Sequence, residues 1–179
     1  MSYVLDERLS MLTPYQPIQG NYRIRLDANE SFIPLSDSVK EKLKISLDNL
    51  DFNRYPDPYA KDLIEAYGKV ISTSPKNLVA GNGSDELIGL ICGAFLADNA
   101  KVVTLTPDFS MYSFYTNIRK AYTYPFPRSN DFLPDADKLI KYINDTLPTI
   151  LIFSNPNNPT GAAIEVDTVE KIIKSVSCL

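Results

Sequence analysis

Three short stretches gather residue types that can hold a ligand: GNGSDE (Gly81–Glu86), TPDFSMY (Thr106–Tyr112) and SNPNNPTG (Ser154–Gly161). In the first, Gly81 and Gly83 permit backbone angles closed to other residues, and Ser84 and Asp85 open a helix whose free N–H groups attract an anion. A phosphate cradle fits that pattern, although a glycine turn with a Ser or Asp cap accounts for the same residues. Neither GxGxxG nor a GK[ST] loop is present, which argues against a dinucleotide or ATP site. In the second stretch Phe109 follows Pro107 by two positions, and a flat ring there can stack on a planar heterocycle or simply fill the core. In the third, Asn155, Asn157 and Asn158 carry amides able to donate to an oxyanion or phenolate oxygen, on a turn stiffened by Pro156 and Pro159. A self-capping asparagine turn is the plainer alternative.

Each stretch follows an apolar run and precedes a helical one. NLVAG, KVVTLTP, AYTYPFP and TILIFSNP read as strands, and LIGLICGAFLA, DFSMYSFYTNIRK, DADKLIKYIND and EVDTVEKIIKSV as helices. Such alternation implies right-handed crossovers, hence an α/β fold with a mostly parallel open sheet and helices on both faces. Ligands in these sheets bind outside the carboxyl ends of strands, so the three stretches are expected to converge on one crevice.

The chain before Lys76 is organised differently. Pro14, Pro17, Gly20 and Pro34 break its first part into an arm, with YRIRL (Tyr22–Leu26) as a short strand. Val39, Leu43 and Leu47 recur at helical spacing, predicting a helix over 36–50 capped by Ser36 or Asp37. NRYPDPY is a turn, and a helix follows from about Tyr59 to Ile71. Two domains are expected, 1–75 and 76–179.

Composition excludes several function classes. Of 179 residues, 44% are hydrophobic and 22% charged, an ordinary globular balance. A net charge of -4 without a basic stripe argues against nucleic-acid binding. With Cys92 and Cys178 the only cysteines and no histidine anywhere, neither a disulfide framework nor a metal site is expected, and histidine acid–base chemistry is excluded. No apolar run approaches the ~18 residues of a membrane span, and the N-terminus lacks a signal-peptide pattern, so a soluble cytoplasmic protein is expected.

Together, LTPYQP (Leu12–Pro17), LDANE (Leu26–Glu30), RYPDP, GNGSDELI, TPDFSMY and SNPNNPTG stand in the order and approximate spacing of the amino-terminal half of fold-type I pyridoxal-phosphate aminotransferases, and the chain most resembles their histidinol-phosphate branch. The resemblance implies that 1–75 belongs to the small domain and dimer contact, and that 76–179 is the first half of a cofactor-binding large domain. It implies pyridoxal 5'-phosphate held by Gly83, Ser84 and Asp85 at its phosphate, by Phe109 stacked on its ring, and by Asn158 at its ring oxygen. Many relatives carry tyrosine where Phe109 stands, so a phenol role is lost there. Tyr55 would reach the phosphate held by a neighbouring subunit of a homodimer, and Tyr15, Asn29 and Glu30 would line the substrate pocket. The implied reaction moves an amino group from a small-molecule donor, histidinol phosphate, to 2-oxoglutarate in histidine biosynthesis.

Such an enzyme also needs a cofactor-linking lysine and an acid partner for the pyridine nitrogen. In the family both lie further along the chain than the helix that finishes near Leu179; Lys171 and Lys174 lie on that helix and are not assigned the role, so no catalytic residue is assigned. The expectation is a fragment inactive alone and prone to self-association through its unpaired sheet edge. An aromatic aminotransferase, an amino-acid-phosphate decarboxylase and a non-catalytic α/β binding fragment share these motifs and stay open.

Overall fold

In a computed structural model of the chain, the described residues are 3–12 and 18–179; Tyr15 lies outside them. They fall into two units, one formed by 1–13 and 81–179 and the other by 14–80.

The first unit is built around β1 (Lys101–Thr106), buried continuously from Val102 to Leu105. Burial of consecutive residues, rather than alternate ones, is what a strand covered on both faces requires. β2 (Tyr122–Pro127) and β3 (Ile150–Ile152) flank it, both parallel, in the order β2-β1-β3. The register sets Val102 against Thr123 and Ile150, and Val103 against Tyr124 and Leu151.

Side chains alternate across that sheet, so successive β1 residues enter separate cores. On one face Val102 and Ile150 pack with Ile88 and Cys92 of α4 (Gly83–Phe95) and Tyr112 of α5 (Met111–Ile118). On the other, Val103, Leu105 and Phe126 meet Leu139 and Ile143 of α6 (Ala136–Thr146) and Ile172 of α7 (Val166–Ser175). Leu139 and Ile143 are four residues apart, one helical turn, which is how α6 presents a single buried stripe. α6 begins where the Asp135 carboxylate accepts the Lys138 N–H at 3.1 Å. A short helix, α1 (Glu7–Ser10), is tied to this unit through the Lys120–Asp6 ion pair at 3.3 Å.

The 14–80 unit contains α2 (Asp37–Asp48) and α3 (Lys61–Val70). Helical spacing along 36–50 predicts α2 correctly, but none of its residues is buried, and Ser36 occupies the cap position with its hydroxyl on the Ser38 hydroxyl at 3.2 Å rather than on a backbone N–H. Two predicted strands do not form. YRIRL is irregular, and NLVAG starts at the last residue of a 3-10 turn (Pro75–Asn77) and continues as irregular chain, with Val79 78% exposed. An apolar triplet is a strand only when a neighbouring strand pairs with it, and among the described residues none does so here.

Candidate cofactor site

The turn from Ser154 to Gly161 begins just beyond β3 and is wired by two of its three asparagines. Asn155 clamps Ile164 from both sides: its Oδ1 accepts the Ile164 N–H at 2.7 Å and its Nδ2 donates to the Ile164 carbonyl at 3.1 Å. Asn157 is buried to 3% exposure; its Oδ1 accepts the Thr160 hydroxyl at 2.7 Å, and its Nδ2 donates to the Pro107 carbonyl at 3.3 Å. The side-chain amide of Asn158 makes no hydrogen bond among the described residues, while its backbone N–H donates to Ser154 Oγ at 2.8 Å. The turn is thus held by Asn155 and Asn157, leaving Asn158 a half-buried donor free for a ligand.

Phe109 lies beyond β1 on a neighbouring turn. Its ring meets that of Tyr112 edge to face, with centroids 5.6 Å apart and planes at 85°, and it packs partly buried against the α4/α5 core. An edge-to-face partner fixes the plane of a ring while leaving a face available. Thr106, Phe109, Ser113 and Pro159 line one open depression of ≈ 230 Å³, so the Phe109 and Asn158 turns meet at the carboxyl end of the sheet.

Gly81–Glu86 does not follow a strand; its position comes from α4. Only the link from Leu96 to Ala100 joins α4 to β1, so the helix runs back along the sheet and its first turn lies toward the end where β1 finishes. Gly83 opens the helix with a φ of +84°, and a Cβ there would meet no atom within 4 Å. The cap residue is Asn82, not Ser84 or Asp85, and its N–H is taken by the Glu86 carboxylate rather than by its own side chain. The Ser84 hydroxyl has no partner among the described residues, and Asp85 Oδ1 is buried and unpartnered.

The remaining residues with an expected role belong to the 14–80 unit. Tyr55 is fully exposed at 102%. Asn29 has a φ of +53°, a backbone region asparagine tolerates, and Glu30 lies 4.0 Å from Arg25, which also grips Asp27 at 3.0 Å.

Sequence reasoning passed over a buried ion pair beneath the two turns. Arg128 Nη2 donates to Asp108 Oδ2 at 2.8 Å, with the side chains 0% and 3% exposed. Arg128 Nε donates to the Pro107 carbonyl at 3.0 Å and Nη1 to that of Phe132 at 3.2 Å. Asp108 Oδ1 accepts the Phe109 N–H at 2.9 Å and the Ser154 hydroxyl at 2.5 Å. Burial pushes the Tyr112 phenol upward, and the Asp108 charge adds to it, against the opposing pull of Ser154 and Arg128. The available signal was positional: Asp108 and Arg128 lie one or two residues past the ends of strands whose register ends at Thr106↔Pro127.

A family model for aminotransferases of class I and II matches residues 23–178. The chain belongs to that family. Histidinol-phosphate aminotransferase of Clostridium novyi (strain NT) is 50% identical over 166 residues, 93% of this chain and 47% of that protein. Its counterpart from Clostridium kluyveri is 39% identical, covering 98% of this chain and 50% of the relative. A crystal structure of histidinol-phosphate aminotransferase from Sinorhizobium meliloti in complex with pyridoxal-5'-phosphate superposes with a TM-score of 0.76 at 25% identity, over 84% of this chain and 40% of that one. The chain spans about half the length of the curated relatives it matches.

Pyridoxal phosphate is the cofactor of this family, and the residues fit it. Its planar ring, phosphate and ring oxygen call for a stacking face, an anion cradle and an amide donor. Phe109 lines the open depression, the first turn of α4 has open space at Gly83 and a free Ser84 hydroxyl, and Asn158 has an uncommitted side-chain amide. Asp85 fits only through its backbone N–H, because a carboxylate oxygen accepts hydrogen bonds and repels a phosphate. Among the described residues no group of side chains could hold a metal ion, and no helix is long and apolar enough to cross a membrane.

Proposed function

We propose that this chain forms the cofactor-grasping part of a histidinol-phosphate aminotransferase that works in histidine biosynthesis. The observation that carries the reading is the division of labour in Ser154–Gly161. Asn155 and Asn157 spend their amides on the turn, while Asn158, beside the Phe109 depression, keeps its amide free. Gly83, Ser84 and the Asp85 N–H hold the cofactor phosphate, Phe109 stacks on the ring, and Asn158 donates to the ring oxygen. Bound there, pyridoxal phosphate supplies the electron sink that amino transfer requires. The protein's part is to fix the ring plane, exclude water from the stacked face and hold the phosphate still.

The donor is histidinol phosphate and the acceptor 2-oxoglutarate, a choice supported by the 50% identical relative of that name. Asn29 and Glu30, with Tyr15, line the substrate pocket, and the working form is a homodimer in which the exposed Tyr55 reaches the partner's phosphate. As a division of function, distinct from the compact units 1–13 with 81–179 and 14–80, 1–75 serves the small domain and dimer contact and 76–179 the cofactor, and the protein works in the cytoplasm. Neither Lys171 nor Lys174 is offered as the cofactor-linking lysine: they sit in exposed ion pairs with Asp137 and Glu170, each at 2.6 Å.

The test is a chimaera joining this chain to the complementary half of the Clostridium novyi relative, assayed with histidinol phosphate, phenylalanine and threonine phosphate. Transamination of histidinol phosphate above the others is expected. Activity with phenylalanine alone would make the protein an aromatic aminotransferase, and carbon dioxide release from threonine phosphate a decarboxylase.

A further inference from the structure

We propose that Asp108, held by Arg128 and acting through Ser154, is a positioning residue that locks the ring platform and the backbone that carries the Asn158 side chain into one rigid unit. The inference rests on the functional reading given above for Phe109 and Asn158. One carboxylate oxygen, Asp108 Oδ1, accepts both the Phe109 N–H at 2.9 Å and the Ser154 hydroxyl at 2.5 Å, and also lies 3.3 Å from the Ser154 N–H. That same hydroxyl oxygen accepts the Asn158 N–H at 2.8 Å and the Asn157 side-chain amide at 3.3 Å. Phe109 is therefore one hydrogen bond from Asp108, and Asn158 two, although 49 positions separate them in the sequence.

Arg128 makes the arrangement directional. Its guanidinium ties Asp108 Oδ2, the Pro107 carbonyl and the Phe132 carbonyl, and its backbone N–H donates to the Thr106 carbonyl at 2.9 Å. A planar fork held at all these points leaves the carboxylate one orientation, with Oδ1 turned toward Phe109 and Ser154. Stability alone gives a weak reason for such a pair, since buried ion pairs are often matched by apolar residues of similar volume. Fixing two ligand-facing groups at a set separation is a reason an apolar replacement cannot supply.

The test uses the chain as it is, with pyridoxal 5'-phosphate as probe and melting temperature and amide hydrogen exchange alongside. Ser154→Ala should weaken cofactor binding roughly tenfold, as loss of a charge-assisted hydrogen bond would, and should speed exchange at the Asn158 backbone N–H. Ser154→Thr, which keeps the hydroxyl, should restore both. Arg128→Lys, remote from the cofactor, should speed exchange at Phe109 and Asn158 together. Ile143→Val, in the α6 core away from both turns, provides a control of lowered stability that leaves this network intact, and it should retain affinity. The inference is overturned if Ser154→Ala binds within about twofold of wild type, or if Ile143→Val weakens binding equally for the same loss of melting temperature. Failure of the wild-type chain to take up the probe would sink the functional reading instead; the coupling then stands if Arg128→Lys speeds exchange at Asn158, and falls if that amide is unmoved.

Discussion

The turn at Ser154–Gly161 and the helix start at Gly81–Glu86 are expected to grip two ends of one small molecule, yet they are built in opposite ways. The first has Asn155, Asn157, Ser154 and Thr160 bonded to neighbours, with only the Asn158 amide to spare. The second has an open Gly83, an unpartnered Ser84 hydroxyl and a buried Asp85 oxygen without a donor. The difference matches the chemistry at each end. A neutral, directional contact to a ring oxygen needs a donor fixed beforehand, because its strength falls steeply with angle. A phosphate is gripped by several N–H groups and a helix dipole, which tolerate a looser frame.

If the wired turn owes its shape to the ion pair beneath it, Arg128→Met should be the most damaging change, costing about 3–5 kcal/mol by stranding the Asp108 carboxylate. Chemical denaturation would read it, and a loss below ~1 kcal/mol would mean the pair is dispensable. Asn157→Ala should follow, at roughly 1–3 kcal/mol, because it takes the acceptor from the Thr160 hydroxyl and one of two donors from the Pro107 carbonyl; the same measurement applies. At the open end, Gly83→Ala should cost only about 1 kcal/mol, since a Cβ meets no atom and just the positive φ penalises it. A larger loss would place hidden packing at that loop.

The smallest effect concerns pH. The Tyr112 phenol, raised by burial above its ordinary 10.0, stays neutral in the folded chain at a pH where the unfolded chain ionises. Its contribution is thus complete below that ordinary value and is lost as pH climbs through the raised one. Tyr112→Phe should flatten the alkaline limb of the stability profile, and an unchanged limb would assign that limb to another group.

Much of this was legible in the sequence, for identifiable reasons. The strands KVVTLT, YTYPFP and ILI, and the helices between them, follow from apolar periodicity because each finds the core its pattern calls for. NLVAG and YRIRL carry a strand-like pattern but no strand to pair with, and a pattern cannot supply its own partner. SNPNNPTG announced a site, yet which amide was free depended on Ile164, Thr160 and Pro107 claiming the other two. The Asp108–Arg128 pair was invisible because it arises from the β1–β2 register, which brings the ends of two strands together across 20 residues.

The most direct test is pyridoxal 5'-phosphate affinity in Asn158→Ala beside the melting temperature of the same variant. Because that amide makes no bond within the described residues, the melting temperature should hold to within ~0.5 kcal/mol of stability, while affinity falls about tenfold. Unchanged affinity, or a loss of stability like that of Asn157→Ala, would contradict the assignment of Asn158 as the free donor of the site.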